Sequence, residues 1–216
     1  MKLERPEKLQ TPKKVVQPIR KPVQSRSINT KGKILEAAVE VFCEKGYHKT
    51  TTNEIAQRAQ VSIGSLYSYY KDKDTIFFEI LERYQAKFDT AKNEVMNDPE
   101  LLKADPKAWL RILIENLIKV HEEAKELNRE LTVLSYYNQK VADIQDQYKE
   151  KNMRETIGYF MQLQNDFIAE DLEATAIVTY DMISSTVDRI VFGKNEIDRE
   201  RLINAAIDVV YKYFIK

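Results

Sequence analysis

Residues 62–70, Ser-Ile-Gly-Ser-Leu-Tyr-Ser-Tyr-Tyr, hold six hydroxyl groups and one glycine. None of these side chains carries charge near neutral pH, so the segment suits hydrogen bonding rather than acid–base work. On a helix Leu66 turns inward, leaving Ser65, Tyr67, Ser68 and Tyr69 for solvent or a partner, and Gly64 leaves room for close approach. A helix that enters the major groove of DNA offers its N-terminal residues to base edges and its flanks to phosphates. Tyrosine hydroxyls suit phosphate contacts, and their rings can pack on a sugar or a thymine methyl. Lys73 follows at the start of the next helix, where its charge and nearby backbone N–H groups favour a phosphate. The competing reading makes the tyrosines core aromatics. It is preferred for Tyr70, which precedes the charged run Lys71-Asp72-Lys73-Asp74; Tyr67 and Tyr69 are expected to face outward.

Such a ridge needs a scaffold, and the preceding residues supply one. Ile34, Leu35, Ala38, Val41 and Phe42 recur at three- and four-residue spacing, one face of a helix that Asn29 or Thr30 can cap and Gly46 can end. Thr51 with Glu54 fits a capping box for a short second helix ending near Gln60, although Thr52 can serve as the cap instead. Ser62 can cap the third. Ala56 is small where two helices must approach closely, and Val61, Leu66, Ile55 and Ala59 supply apolar contacts around the turn. Two helices this short cannot bury a core alone and need the Ile34–Phe42 face to complete it.

The rest of the chain bounds the alternatives. Of 216 residues, 43% are hydrophobic and 31% charged, with five glycines and six prolines, four of them before Val23. So few breakers, with no long β-branched alternation, predict an all-α protein. Net charge is zero but unevenly spread: residues 1–30 hold eight Lys/Arg against Glu4 and Glu7, whereas 76–216 hold 19 basic and 26 acidic side chains. Residues 1–28 lack apolar periodicity and read as a basic disordered tail, either simply solvated or tracking phosphates. Cys43 cannot form an intramolecular disulfide and, beside Val41 and Phe42, reads as a buried inert thiol. His48 and His121 lack partners at metal-binding spacing, and neither a Gly-rich phosphate loop nor Gly-x-Ser-x-Gly is present. Neither an enzyme nor a metal or other cofactor is expected. With no secretory h-region and no apolar run of membrane-spanning length, the expected location is the cytoplasm, away from the membrane.

Together, the segment ILEAAVEVFCEKGYHKTTTNEIAQRAQVSIGSLYSYYKDKDTIFFEIL, about residues 34–81, resembles the TetR family of transcriptional regulators. Ala37-Ala38, Phe42, Gly46-Tyr47, Thr51-Thr52, Ile55-Ala56, Ala59, Val61-Ser62, Gly64, Leu66-Tyr67 and Lys73 stand where the family pattern has them. The resemblance implies an N-terminal three-helix helix-turn-helix DNA-binding domain (residues 29–75) and a C-terminal helical ligand-binding and dimerisation domain (residues 76–216). It also implies that Thr52, Ser62, Gly64, Ser65, Tyr67, Tyr69 and Lys73 contact a double-stranded operator. Two positions depart from the pattern. Gln60 replaces a turn glycine, which costs about 1 kcal/mol if its φ is positive, and Tyr70 replaces phenylalanine, adding a hydroxyl that needs a partner or water.

Long helices are expected over residues 76–98, 108–126, 127–137, 141–168, 172–192 and 198–214. Leu202, Ala205, Ala206, Val209, Val210 and Tyr213 form one stripe of the last helix, and Ile203, Ile207 and Phe214 begin another. A helix apolar on two sides needs two partners, so the last two helices are expected to form a homodimer interface. By the same resemblance, a small apolar or aromatic effector would lie among Tyr84, Phe88, Trp109, Leu113, Leu117, Tyr136, Tyr137, Tyr159, Phe160 and Phe167, although ordinary core packing suits each of these residues as well. The functional expectation is a repressor released from its operator by that effector. The rivals are a regulator controlled by a protein partner without a small ligand, and a helical interaction module that binds no DNA.

Overall fold

The computed structural model describes residues 25–162 and 168–214. Most of the expected tail therefore lies outside the described residues. Helix α1 spans Ser25–Lys45, starting a turn earlier than expected. No proline or glycine stands between Pro22 and Thr30, so nothing stops the amphipathic helix from propagating outward at small cost per residue.

Helix α2 (Thr52–Arg58) packs on α1, and α3 (Ile63–Tyr69) packs on α2. Thr51, not Thr52, caps α2: its side chain accepts from the Glu54 N–H, and the Glu54 carboxylate accepts from the Thr51 N–H at 3.0 Å. Ser62 caps α3 by accepting from the Ser65 N–H at 3.0 Å. The tight turn between them is closed by Val61 N–H donating to Ala56 C=O at 3.0 Å, with Ala56 and Leu66 buried. Arg58 ties α2 to α1 through Glu40 and Glu44 at 2.8–2.9 Å.

Helix α4 (Lys73–Met96) is the strut of the molecule. Ile76, Phe77, Ile80, Leu81 and Tyr84 share one core with α1–α3, and Leu127, Leu131, Leu134 and Val141 close it from the far side. Val95 belongs to a second core, built with Trp109, Leu110, Leu113, Ile114, Ile118, Ile183, Val187, Ile203 and Val210. The head's core thus continues into the body without a break at residue 75. Short α5 (Pro99–Ala104), not foreseen in the sequence, precedes α6 (Pro106–Glu123); Asp98 and Asp105 cap them, each followed by a proline that has no N–H to satisfy. Then come α7 (Lys125–Ser135), α8 (Gln139–Gln162), α9 (Leu172–Phe192) and α10 (Arg199–Phe214). Helix α9 packs on α6, α8 and α10. Among the described residues there is no strand, and no helix is long and apolar enough to cross a membrane.

Cys43 corrects the expectation of burial. It lies on α1 one residue beyond the buried Val41–Phe42 edge and is exposed. Partial desolvation, with Glu126 and Glu130 nearby, pushes its thiol pKa up. Tyr70 is buried as expected, with its hydroxyl beside Glu79 and the Lys31 ammonium 5.6 Å from its ring centre; desolvation first, then Glu79, raises its pKa.

Gln60 adopts φ 56°, so the turn does force a side chain into the left-handed region. Gln60→Gly is expected to raise the unfolding free energy by up to about 1 kcal/mol, and Gln60→Val to lower it by at least as much. Urea melts of the three proteins check this; equal midpoints would show that the turn stores no strain.

Candidate functional site

Two places could do chemistry: the outer face of α3 and a cavity enclosed by the body. On α3, Tyr67 is 50% exposed, and its hydroxyl lies 3.0 Å from the Thr52 hydroxyl on α2. That bond aims the phenol along the seam between the two helices, so neither side chain has to be ordered afresh by a partner. Ser62, Gly64 and Ser68 are exposed, and Ser65 is half-buried. A methyl placed on Gly64 would meet no atom of the protein within 4 Å. The glycine therefore has no packing role within the chain, and the space in front of it is open. Tyr69 is half-buried, its ring packed against the head's core, so less of it reaches the surface than expected. The ridge these residues form is polar and uncharged.

Lys73 sits differently from a solvated phosphate contact. Its ammonium donates to the carbonyls of Tyr47 at 2.7 Å and Thr50 at 2.9 Å, and lies 4.2 Å from the centre of the Tyr47 ring. Desolvation in this setting lowers its pKa. Two of its three donors thus hold the α1–α2 turn closed. The same turn is gripped from α7, where Glu130 accepts from the Tyr47 N–H at 2.6 Å. Lys49, shortly before α2, and Lys71, just after α3, are exposed and were not among the residues expected to contact DNA.

Comparison with known proteins fits this head. Residues 34–80 match the profile described as bacterial regulatory proteins, tetR family. The HTH-type transcriptional regulator QacR of Staphylococcus aureus is 43% identical over 61 residues, 28% of this chain and 32% of that protein. Over residues 34–80 the chain is similar to the TetR family of regulators. The named relatives are transcriptional regulators. The chain spans about a third of the length of QacR, so sequence likeness to it is confined to the head. The fold likeness extends further. A TetR-family structure from Mesorhizobium loti superimposes with a TM-score of 0.68 at 21% identity, covering 89% of this chain and 100% of that one. The SmeT–triclosan complex gives a TM-score of 0.69 at 18% identity, over 87% and 92%.

The body encloses a cavity of about 90 Å³ between α4, α6, α8 and α9. Of the residues expected to line it, Phe88, Trp109, Leu113, Leu117 and Tyr159 do, with the Trp109 and Tyr159 rings stacked at 5.6 Å. Tyr84 is buried beside it on the head's side. Tyr136 and Tyr137 are not there: they follow α7 at the surface, 80% and 78% exposed. Their place in the sequence suited an aromatic wall, but the turn that closes α7 points them to solvent. Phe167 and the side chain of Phe160 lie outside the described residues.

Sequence reading missed the polar lining, namely Lys92, His121, Asn152, Thr156, Thr179, Tyr180 and Ser184. No local motif marks these residues, because they meet only through the packing of α4, α6, α8 and α9. Among the described residues, no group of three or more His, Cys, Asp or Glu is placed to hold a metal ion.

His121 forms part of the cavity wall facing the head. Its Nδ1 lies 3.0 Å from the Tyr84 hydroxyl and 3.1 Å from Asn128 Nδ2, and its ring packs edge-on against Phe88 at 4.8 Å. With the Asn128 amide nitrogen as donor, Nδ1 must accept, which an imidazolium cannot do. Burial depresses its pKa to about 4, and burial likewise raises Tyr84 to about 12.

A depressed histidine pKa means that the unfolded chain takes up the proton first as pH falls. Stability is then complete above the ordinary value of 6.5 and drains away as pH falls through about 4. Unfolding free energy should drop by up to about 3 kcal/mol over that window on account of this residue. In His121→Gln the drop should be correspondingly shallower, whatever the variant's stability at neutral pH. Parallel slopes in urea titrations of the two proteins would refute the assignment.

Proposed function

We propose that the protein is a cytoplasmic, homodimeric transcriptional repressor that sets α3 of each copy into the major groove of a palindromic operator and lets go when a small effector fills the body cavity. The observation that carries the DNA-binding part is the α3 ridge: hydroxyls fixed by caps and by the Thr52–Tyr67 bond, around a glycine whose open side no protein atom uses. Thr52, Ser62, Gly64, Ser65, Tyr67 and Tyr69 supply the contact surface. Lys73 serves through its remaining donor while it fixes the turn, and Lys49 and Lys71 add phosphate-steering charge.

Pairing through α9 and α10 is supported by the residues left over once the body's core is satisfied. Ile203, Ala206, Ile207 and Val210 are buried within the chain, whereas Val178 on α9 and Val209 on α10 remain exposed with Ala205. Ala205 and Val209 of the stripe that Leu202 begins are thus left for another copy, whereas Ile203 and Ile207 of the second stripe lie in the chain's own core.

Effector control is supported by the cavity itself. A regulator without a small ligand would be expected to pack its middle helices solid, as cores normally are. SmeT, similar in fold, is described in complex with triclosan. At about 90 Å³ the cavity is smaller than the roughly 150 Å³ that holds a benzene molecule. Entry of a ring-sized ligand therefore favours a wider arrangement of α4, α6, α8 and α9, and release from DNA follows if that arrangement separates the heads.

Anisotropy titrations on genomic operator fragments test the DNA part. Tyr67→Ala and Gly64→Ala should each weaken specific binding by about tenfold or more. Gly64→Ala should meanwhile leave stability unchanged or raise it by about 0.5–1 kcal/mol, since the site is an open helix position. Wild-type affinity in both variants would remove α3 as the reading head.

A further inference from the structure

The lining of the body cavity includes buried polar groups that its aromatic and aliphatic walls do not satisfy in full. Lys92 on α4 is buried, and its ammonium donates to Asn152 Oδ1 at 2.9 Å and to Glu155 Oε2, both on α8. Asp89 Oδ1 is 3.9 Å away, beyond hydrogen-bond range. Asn152 and Glu155 therefore occupy two of the three N–H donors. Thr179 on α9 lines the same cavity at 3% exposure, and among the described residues its hydroxyl has no hydrogen-bond partner. An orphaned buried hydroxyl is costly and calls for a ligand or water to satisfy it. Thr156 completes the group; it is buried, and its hydroxyl donates to the Asn152 carbonyl, which leaves its lone pairs to accept.

Among the described lining residues there is one ammonium and no carboxylate. Glu155, 44% exposed, reaches Lys92 from outside the lining and offsets its charge in the empty protein. A ligand ammonium entering this space would meet a like charge and no lining acid, whereas a ligand carboxylate would find a cation and a hydroxyl donor. Apart from His121, Tyr180 and Ser184, the remaining walls are aromatic and aliphatic.

We infer that the effector of this cavity is a small monocarboxylate with an apolar or aromatic body, its carboxylate received by Lys92 and Thr179 in partial exchange for Glu155. The inference rests on the effector reading above and narrows it to a charge class.

Thermal-shift and calorimetric titrations of the full chain with three matched probe pairs test it: benzoate and hexanoate, their amides, and benzylamine and hexylamine. The acids should bind at least severalfold more tightly than the amides, and the amines least. Lys92→Met should erase the advantage of acid over amide. Glu155→Gln, which removes the competing carboxylate, should increase acid affinity severalfold. Thr179→Val should move two readouts in opposite directions: the empty protein melts higher, because an unsatisfied hydroxyl is gone, while acid affinity falls about tenfold.

Should Lys92→Met fail to fold, Glu155→Gln and Thr179→Val still decide the matter, since both are conservative. Amines binding as tightly as the acids would overturn the inference, as would acid affinity indifferent to all three substitutions. So would the absence of any carboxylate binding at millimolar concentration. Amides or amines binding where the acids do not would fall on the charge class alone, whereas no binding by any of the six probes would fall on the effector reading on which it rests.

Discussion

Beyond the apolar core that they share, the head and the body are tied by ionic contacts at the turn between α1 and α2. Lys73 reaches into it from the first residue of α4 and holds the Tyr47 and Thr50 carbonyls; Glu130 reaches in from α7 and holds the Tyr47 N–H. Gly46, at φ 79°, is what lets the chain turn there, and a methyl on it would come within 3.3 Å of the Glu130 carboxylate. The Tyr47 hydroxyl donates in turn to Asp74, and desolvation together with that carboxylate raises its pKa. Two ionic side chains, from two body helices, therefore grip one short segment of the head. Both bonds are charge-assisted and partly buried, so they are stiffer than surface pairs. Relative sliding of α4 and α7 cannot leave both of them intact.

The parts of the molecule that could be read from sequence are those fixed by local geometry. The capping box at Thr51 and Glu54, the Ser62 cap, the apolar spacing of α1 and the turn strain at Gln60 each depend on residues within a few positions of one another. Adjacent alternatives were still open: Thr51 and Thr52 have the same chemistry, and only the backbone direction at Thr51 separates them. The polar lining of the cavity was invisible for the opposite reason. Lys92 meets Asn152 and Glu155 across 60 and 63 residues, and on its own helix it looks like any solvated lysine. Tyr136 and Tyr137 show the converse error: aromatic type suggested a cavity wall, but type carries no information about which way a helix end turns its last side chains. Cys43 failed by a single position on the helical wheel.

The cavity and the head's core share a wall, and its construction bears on how a signal could cross it. His121 belongs to the cavity lining; Tyr84, its hydrogen-bond partner, belongs to the core that also holds Ile55, Leu66 and Phe77. Asn128, bonded to both, lies two residues before Glu130 on α7, the helix that grips Gly46 and Tyr47. The path from ligand space to the turn thus contains a neutral imidazole, a phenol and an amide before it reaches an ionic contact. Neutral hydrogen bonds of this kind contribute about 1 kcal/mol each and can be exchanged without stranding a charge. An ion pair at the same place would resist rearrangement more strongly.

That difference sets where the protein can yield. Under the proposed effector control, a ligand too large for a cavity of about 90 Å³ would have to gain enough from its contacts to displace packed side chains, and would alter DNA affinity only by the difference in its binding to the two arrangements. With coupling free energies typically of about 1–3 kcal/mol, rupture of one or two neutral bonds at His121 is of the right size to be driven by a small molecule. Loss of the Lys73 and Glu130 contacts together would exceed it, because each leaves a partly buried charge uncompensated. The economical motion keeps the turn gripped and carries the head as a rigid unit with α4 or with α7. The choice between those two helices then rests on which of them a ligand would push, and Phe88 and Lys92 place α4 directly on the cavity, whereas α7 lies behind it, reached through α8 and through the His121–Asn128 bond.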